Sequence, residues 1–147
     1  MKWVTREHAM VDRIACPWLI KNFVDKEAEF LFVPPEKVLE VAEKENAIPF
    51  DTSGVELGHH GEEVSFDAIL KKYNLNDPAL LGLSKIVRGA DTANRMLTPE
   101  SPGLYAVARG FRKISKDDYD NMKLQFPVYD ALYAFCQLKV SEQQPQK

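Results

Sequence analysis

Cysteine is scarce in this chain, and so are long apolar runs and charge of a single sign. Two cysteines, Cys16 and Cys136, stand far apart, which excludes a disulfide-built mini-domain and leaves no C-x-x-C frame for a dithiol or a structural zinc. No stretch reaches 18 consecutive apolar residues, so no transmembrane helix is expected. The amino terminus, M-K-W-V-T-R-E-H-A-M-V-D-R, has no apolar run of signal-peptide length. The expectation is a cytoplasmic protein that keeps its thiols reduced and does not work at a membrane. Nineteen Lys and Arg against twenty-two Asp and Glu leave a formal charge of -3. With no global basic field to gather phosphates, nucleic-acid binding by this chain alone is not expected.

Repeats and linkers are lacking too. Of 147 residues, 45% are hydrophobic and 28% charged, the balance of an ordinary globular domain. Residues 1–140 read as one domain, and the polar stretch Ser141 to Lys147 as a disordered tail. β-branched and aromatic residues mark short strands over Lys2–Thr5, Ala28–Val33 and Ala47–Asp51. Helix starts fall at Pro35, ahead of Val38, Leu39 and Ala42, and at Ser65, ahead of Phe66, Ile69, Leu70 and Tyr73. Others fall at Asp77-Pro78 and at Ser101-Pro102, the latter ahead of Leu104, Val107, Ala108 and Phe111. Ser115 and Asp118 have the spacing of a capping box. The last helix is expected to reach about Val140, kinked or broken at Pro127, with Cys136 buried beside Tyr129, Leu132 and Tyr133. With a further helix after Pro17, the fold class is α+β, predominantly helical: five or six helices and a small sheet of two or three strands.

Three segments carry candidate chemistry. In V-D-R-I-A-C-P-W-L-I, Asp12, Arg13 and Cys16 share a small volume, and Pro17 at a first helical position puts Cys16 at the N-cap. There the helix end and Arg13 favour a thiolate; the plainer reading is a buried cysteine behind Trp18, with Asp12 as a cap. In I-V-R-G-A-D-T, a helical repeat puts Arg88, Asp91, Thr92 and Arg95 on one face, either an anion site or a solvated charged surface. In D-T-S-G-V-E-L-G-H-H-G-E-E, His59 and His60 lie among four acids, Asp51, Glu56, Glu62 and Glu63. Adjacent histidines in extended backbone point to opposite sides, so at most one serves as ligand or base. A divalent metal such as zinc on His59 and Asp91 is one expectation here, although the spacing matches no established metal motif.

The motifs V-D-R-I-A-C-P-W-L-I, A-E-F-L-F-V-P, P-F-D, V-E-L-G-H-H-G, S-F-D, I-V-R-G-A-D-T, S-P-G-L and Y-D-A-L-Y occur in this order. Together they resemble the C-terminal domain of ChrB-type chromate resistance proteins over nearly the whole chain. The resemblance implies a role in bacterial chromate resistance and marks Asp12, Arg13, Cys16, Trp18, His59, Gly61, Arg88, Gly89 and Asp91. The family often places a cysteine where Val64 stands. Relatives carry an extra N-terminal regulatory region or a rhodanese-like domain, so this chain reads as the isolated C-terminal module.

Function is expected along one of three lines. The first is a module that binds or senses a small oxyanion, chromate or a sulfate-like ion, through Asp12, Arg13, Arg88 and Arg95. The second is an enzyme, a thiol- or metal-dependent redox or sulfur-transfer catalyst using Cys16, His59 and Asp91. The third is a protein-interaction domain of a regulator, possible as a homodimer.

Overall fold

The computed structural model describes residues 1–143. Three short strands, β1 (Lys2–Arg6), β2 (Glu29–Val33) and β3 (Ile48–Pro49), form a parallel sheet in the order β2-β1-β3. Parallel neighbours need crossovers. Helix α1 (Asp12–Phe23) joins β1 to β2, and a 3-10 turn (Pro35–Lys37) with α2 (Val38–Glu45) joins β2 to β3. Alternation along β1 sets the layers: Trp3 enters the large core beneath α1, while Val4 turns to a small cluster with Val38 and Ala47 under α2.

The remaining helices are α3 (Ser65–Lys72), α4 (Pro78–Asp91), α5 (Ser101–Ile114) and α6 (Asp118–Gln143). They close over the α1 side of the sheet, so the α+β, predominantly helical expectation holds among the described residues. Asp77 caps α4 through the Ala79 N–H at 2.9 Å, as its Asp-Pro start predicts. Gly89 fixes how α4 meets α5: a Cβ there would stand 2.2 Å from Ser101 Oγ, which donates to the Ile86 carbonyl at 2.9 Å.

Several local expectations change. Cys16 is not an N-cap; α1 begins at Asp12, a turn earlier, and Pro17 is inside it, beyond the four free N–H groups of the first turn, so its ring removes one i→i−4 hydrogen bond. Val64, not Ser65, precedes α3, and its N–H goes to Asp67 at 2.9 Å. Leu39 and Val107 face outward, 58% and 42% exposed, because only one stripe of α2 and of α5 has anything to pack against. Asp118 does not reach back to Ser115: its carboxylate takes the His8 and Ala9 N–H groups at 3.0 and 2.7 Å. Pro127 lies within one continuous α6. That helix carries on to Gln143, into the stretch expected to be a disordered tail; residues 144–147 lie outside the described residues.

Candidate functional site

Open parallel sheets bind ligands beyond the carboxyl ends of their strands, where the strand order reverses. Here Arg6 ends β1, Asp51 lies two residues past the end of β3, and Asp12 begins the helix after β1. The chain leaves β3 through Asp51 in left-handed backbone, φ 49°, a conformation aspartate tolerates better than most residues. The loop that follows folds tightly: a Cβ on Gly58 would sit 2.9 Å from the Thr52 carbonyl, so only glycine fits beside His59.

His59 is the hub. Its Nε2 lies 3.1 Å from Asp51 Oδ1, 3.3 Å from Asp91 Oδ2 and 3.5 Å from Asp12 Oδ2. His60 points elsewhere, with its Nε2 on the Glu56 carbonyl at 2.7 Å, so of the adjacent pair only His59 faces the carboxylates. Glu56 and Glu63 pair with Lys72 and Lys71 at the surface and stay out of the site.

Each carboxylate is held by its own element. Asp12 is buried; Oδ2 accepts the Ser65 N–H at 2.8 Å, and Oδ1 accepts the Phe66 N–H at 3.2 Å and the Cys16 thiol at 3.3 Å. It thereby caps α3 from a distant segment, the role sequence reading gives to Ser65. Asp51 Oδ1 takes the Ser65 hydroxyl at 3.1 Å, and Arg6 Nη2 and Arg13 Nη1 stand 3.7 and 3.8 Å from its two oxygens. Arg6 Nε also donates to the Asp51 carbonyl at 2.9 Å. Asp91 ends α4, where the helix dipole opposes a carboxylate.

The electrostatics follow from this crowding. Burial, then the neighbouring Asp51 charge, raises Asp12 from 3.8 to about 7. Burial pushes Asp51 the same way, but His59, Arg13 and Arg6 outweigh it and hold Asp51 below its ordinary value. Hydrogen bonding to Asp12, Asp51 and Asp91 raises His59 from 6.5 to about 12. A half-exposed imidazolium thus fills the gap between three carboxylates.

Such a set is also a metal ligand set. Asp12, His59 and Asp91 each offer a donor atom within 4.8 Å of the others. Bonds of about 2.0–2.2 Å around a tetrahedral or octahedral ion put neighbouring ligands roughly 3.0–3.5 Å apart. The separations at His59 fall in that range, and oxygen-rich ligation with one imidazole suits a divalent first-row ion or zinc. A cleft of about 400 Å³ lined by Arg6, Asp51, Thr52, Ser53, Gly54 and His59 opens onto the cluster. A hollow of about 310 Å³ on the far side of His59 includes Arg88 and Thr92.

The other sequence candidates divide. Cys16 touches the cluster from beneath, but it is fully buried, and burial with the Asp12 charge raises its thiol well above the usual value. That is the reverse of the thiolate expected at an N-cap. Arg13 is mostly buried, donates to the His8 carbonyl at 3.0 Å, and has an Nε without a hydrogen-bond partner among the described residues. Arg88 is committed to Asp67 through two bonds of 3.0 and 3.2 Å. Arg95 folds back on the Ala90 and Thr92 carbonyls and stacks 3.6 Å over Tyr105. Thr92 donates to the Arg88 carbonyl. Arg88, Asp91, Thr92 and Arg95 therefore do not form a common anion face. Sequence reading passes over Arg6 and counts Asp51 only among the loop acids; the signal for both was their place at strand ends.

A family model described as the ChrB C-terminal domain matches residues 3–136. Protein ChrB of Cupriavidus metallidurans is 34% identical over 133 residues, covering 90% of this chain and 40% of that protein. The chain thus spans about two fifths of the length of that curated relative. No solved structure matches. No helix among the described residues is long and apolar enough to cross a membrane.

Proposed function

The chain belongs to the ChrB C-terminal domain family of chromate resistance proteins, and from there we propose that it acts as a divalent-metal module whose centre is Asp12, His59 and Asp91, with Asp51 beside them. The observation that supports this best is the trio of carboxylates around one imidazole nitrogen at ligand-to-ligand spacing. Three converging acids, one of them fully buried and one at the wrong end of a helix dipole, cost stability. A bound cation offsets that cost and gives the arrangement a purpose.

The same reading includes a small oxyanion, chromate or a sulfate-like ion. Three carboxylates repel a dianion; with a cation among them, the cleft becomes a place where the anion binds as a metal ligand, with Arg6 and Arg13 as counter-charges. Arg88 and Arg95 are already engaged inside the fold and take no part.

Titration calorimetry on chelator-treated protein tests both steps. Zinc or manganese should bind once per chain, and chromate or sulfate should give heat only after the cation is present. Protein that takes up neither cation ends the reading. Chromate binding that ignores the cation removes the oxyanion step alone.

A further inference from the structure

Outside the site, two helices present faces to solvent that match one another. On α5, Gly103, Val107, Gly110 and Ile114 recur at i, i+4, i+7 and i+11, the spacing of a helix-packing seam. Ile114 is 69% and Val107 42% exposed. A Cβ built on Gly103 or Gly110 would meet nothing. Glycine inside a helix costs roughly 0.5–1 kcal/mol against alanine, and internal packing gives no reason for either one.

Arg109, Arg112 and Lys113 line a hollow with Met10; the helical repeat puts Lys113 and Arg109 to one side of that seam and Arg112 on the opposite face of the helix, and α5 contains no acid. Among the described residues none of these three cations is in an ion pair.

The complement is on the same chain. In α2 and the turn before it, Glu36, Leu39, Glu40 and Glu43 fall at i, i+3, i+4 and i+7 and are all exposed. Leu39, 58% exposed, is an apolar residue set among three acids. Lys37 reaches Glu40 at 3.6 Å, and the other two acids of this face are free of ion pairs among the described residues.

We infer that α2 of one copy docks on the α5 seam of another, Leu39 meeting Val107 and Ile114 while Glu36, Glu40 and Glu43 face Arg109 and Lys113. An apolar residue with acids along one side meets an apolar seam with bases along one side, and the glycines let the backbones approach closely. Helix α2 rests on the sheet and α5 on α4 and α6, so the two partners in the contact are different surfaces. Contacts of this head-to-tail kind build rings or open chains. One helix pair buries little area, so the association is weak, salt-sensitive and concentration-dependent.

Sedimentation of the full chain under low and high salt, with charge reversal on each face, tests this. The wild type should gain average mass with concentration at low salt and lose it at high salt. Arg109→Glu with Lys113→Glu, or Glu40→Lys with Glu43→Lys, should each weaken association by about tenfold or more. An equimolar mixture of the two variants should recover it, because each reversed face then meets its complement. Ile114→Ser, at a surface residue, should weaken association without touching charge, and circular dichroism confirms that each variant is folded. A wild type that stays monomeric at low salt and high concentration, or a mixture no heavier than its parts, overturns the inference.

Discussion

Asp12 and Ser65 are joined by a hydrogen bond of 2.8 Å from the Ser65 backbone N–H to Asp12 Oδ2, so the most deeply placed acid of the site is also the cap of α3. Structure and candidate chemistry share one carboxylate. Asp12→Ala leaves the Ser65 and Phe66 N–H groups buried without an acceptor and should cost about 1–3 kcal/mol in urea denaturation. Asp12→Asn keeps an acceptor and should cost less, yet it should lose cation binding as fully as alanine does. Equal losses of stability would remove the capping role; retained cation binding in both would remove the ligand role.

The His59 proton competes with any cation at the site. Because Asp12, Asp51 and Asp91 raise His59 from 6.5 to about 12, the ring must lose a proton to ligate anywhere in the usual pH range. Cation affinity should rise by about tenfold per pH unit between pH 7 and 9. Without a cation, the stability conferred by the imidazolium is complete below 6.5 and fades as pH climbs toward about 12. Asp12, raised to about 7, acts in the same direction: its neutral form favours the fold, and that benefit is lost as pH rises through 7. The melting temperature of cation-free protein should therefore fall from pH 6 to pH 10, and cation-loaded protein should fall much less. Parallel curves would contradict the account.

Arg88 belongs to the scaffold. Its two bonds to Asp67 tie α4 to the start of α3, where Asp67 also accepts the Val64 N–H. Arg88→Ala should lower stability by about 1–3 kcal/mol and leave the cation stoichiometry in calorimetry unchanged. Loss of oxyanion binding in a variant of full stability would instead restore Arg88 as an anion ligand.

The elements were legible from the sequence where local chemistry decides them. Asp77-Pro78 starts a helix, the β-branched and aromatic runs are strands, and the resemblance carried by the ordered motifs is borne out by the family match. What could not be read is set by packing between distant segments. The cap of α3 comes from Asp12, not from the neighbouring Ser65. Asp118 caps the backbone at His8 and Ala9 instead of closing a box with Ser115. In the site, His59 and Asp91 were legible by residue type, whereas Arg6 and Asp51 gain meaning only once β1 and β3 lie side by side. Arg88 looked available because its partner, Asp67, sits on another helix.

Cys16 should be inert. Burial and the Asp12 charge both raise its thiol, so alkylation followed by mass spectrometry should leave Cys16 unmodified at pH 8 in folded protein and label it once urea unfolds the chain. Rapid labelling of Cys16 in the native protein would return it to the list of nucleophiles.

Anomalous diffraction at the zinc absorption edge, from crystals grown with zinc, tests the central claim most directly. The account predicts a single strong peak about 2.0–2.2 Å from donor atoms of Asp12, His59 and Asp91, absent in crystals of Asp91→Ala. A map without a peak at that cluster, or one whose peak survives the substitution, would contradict it.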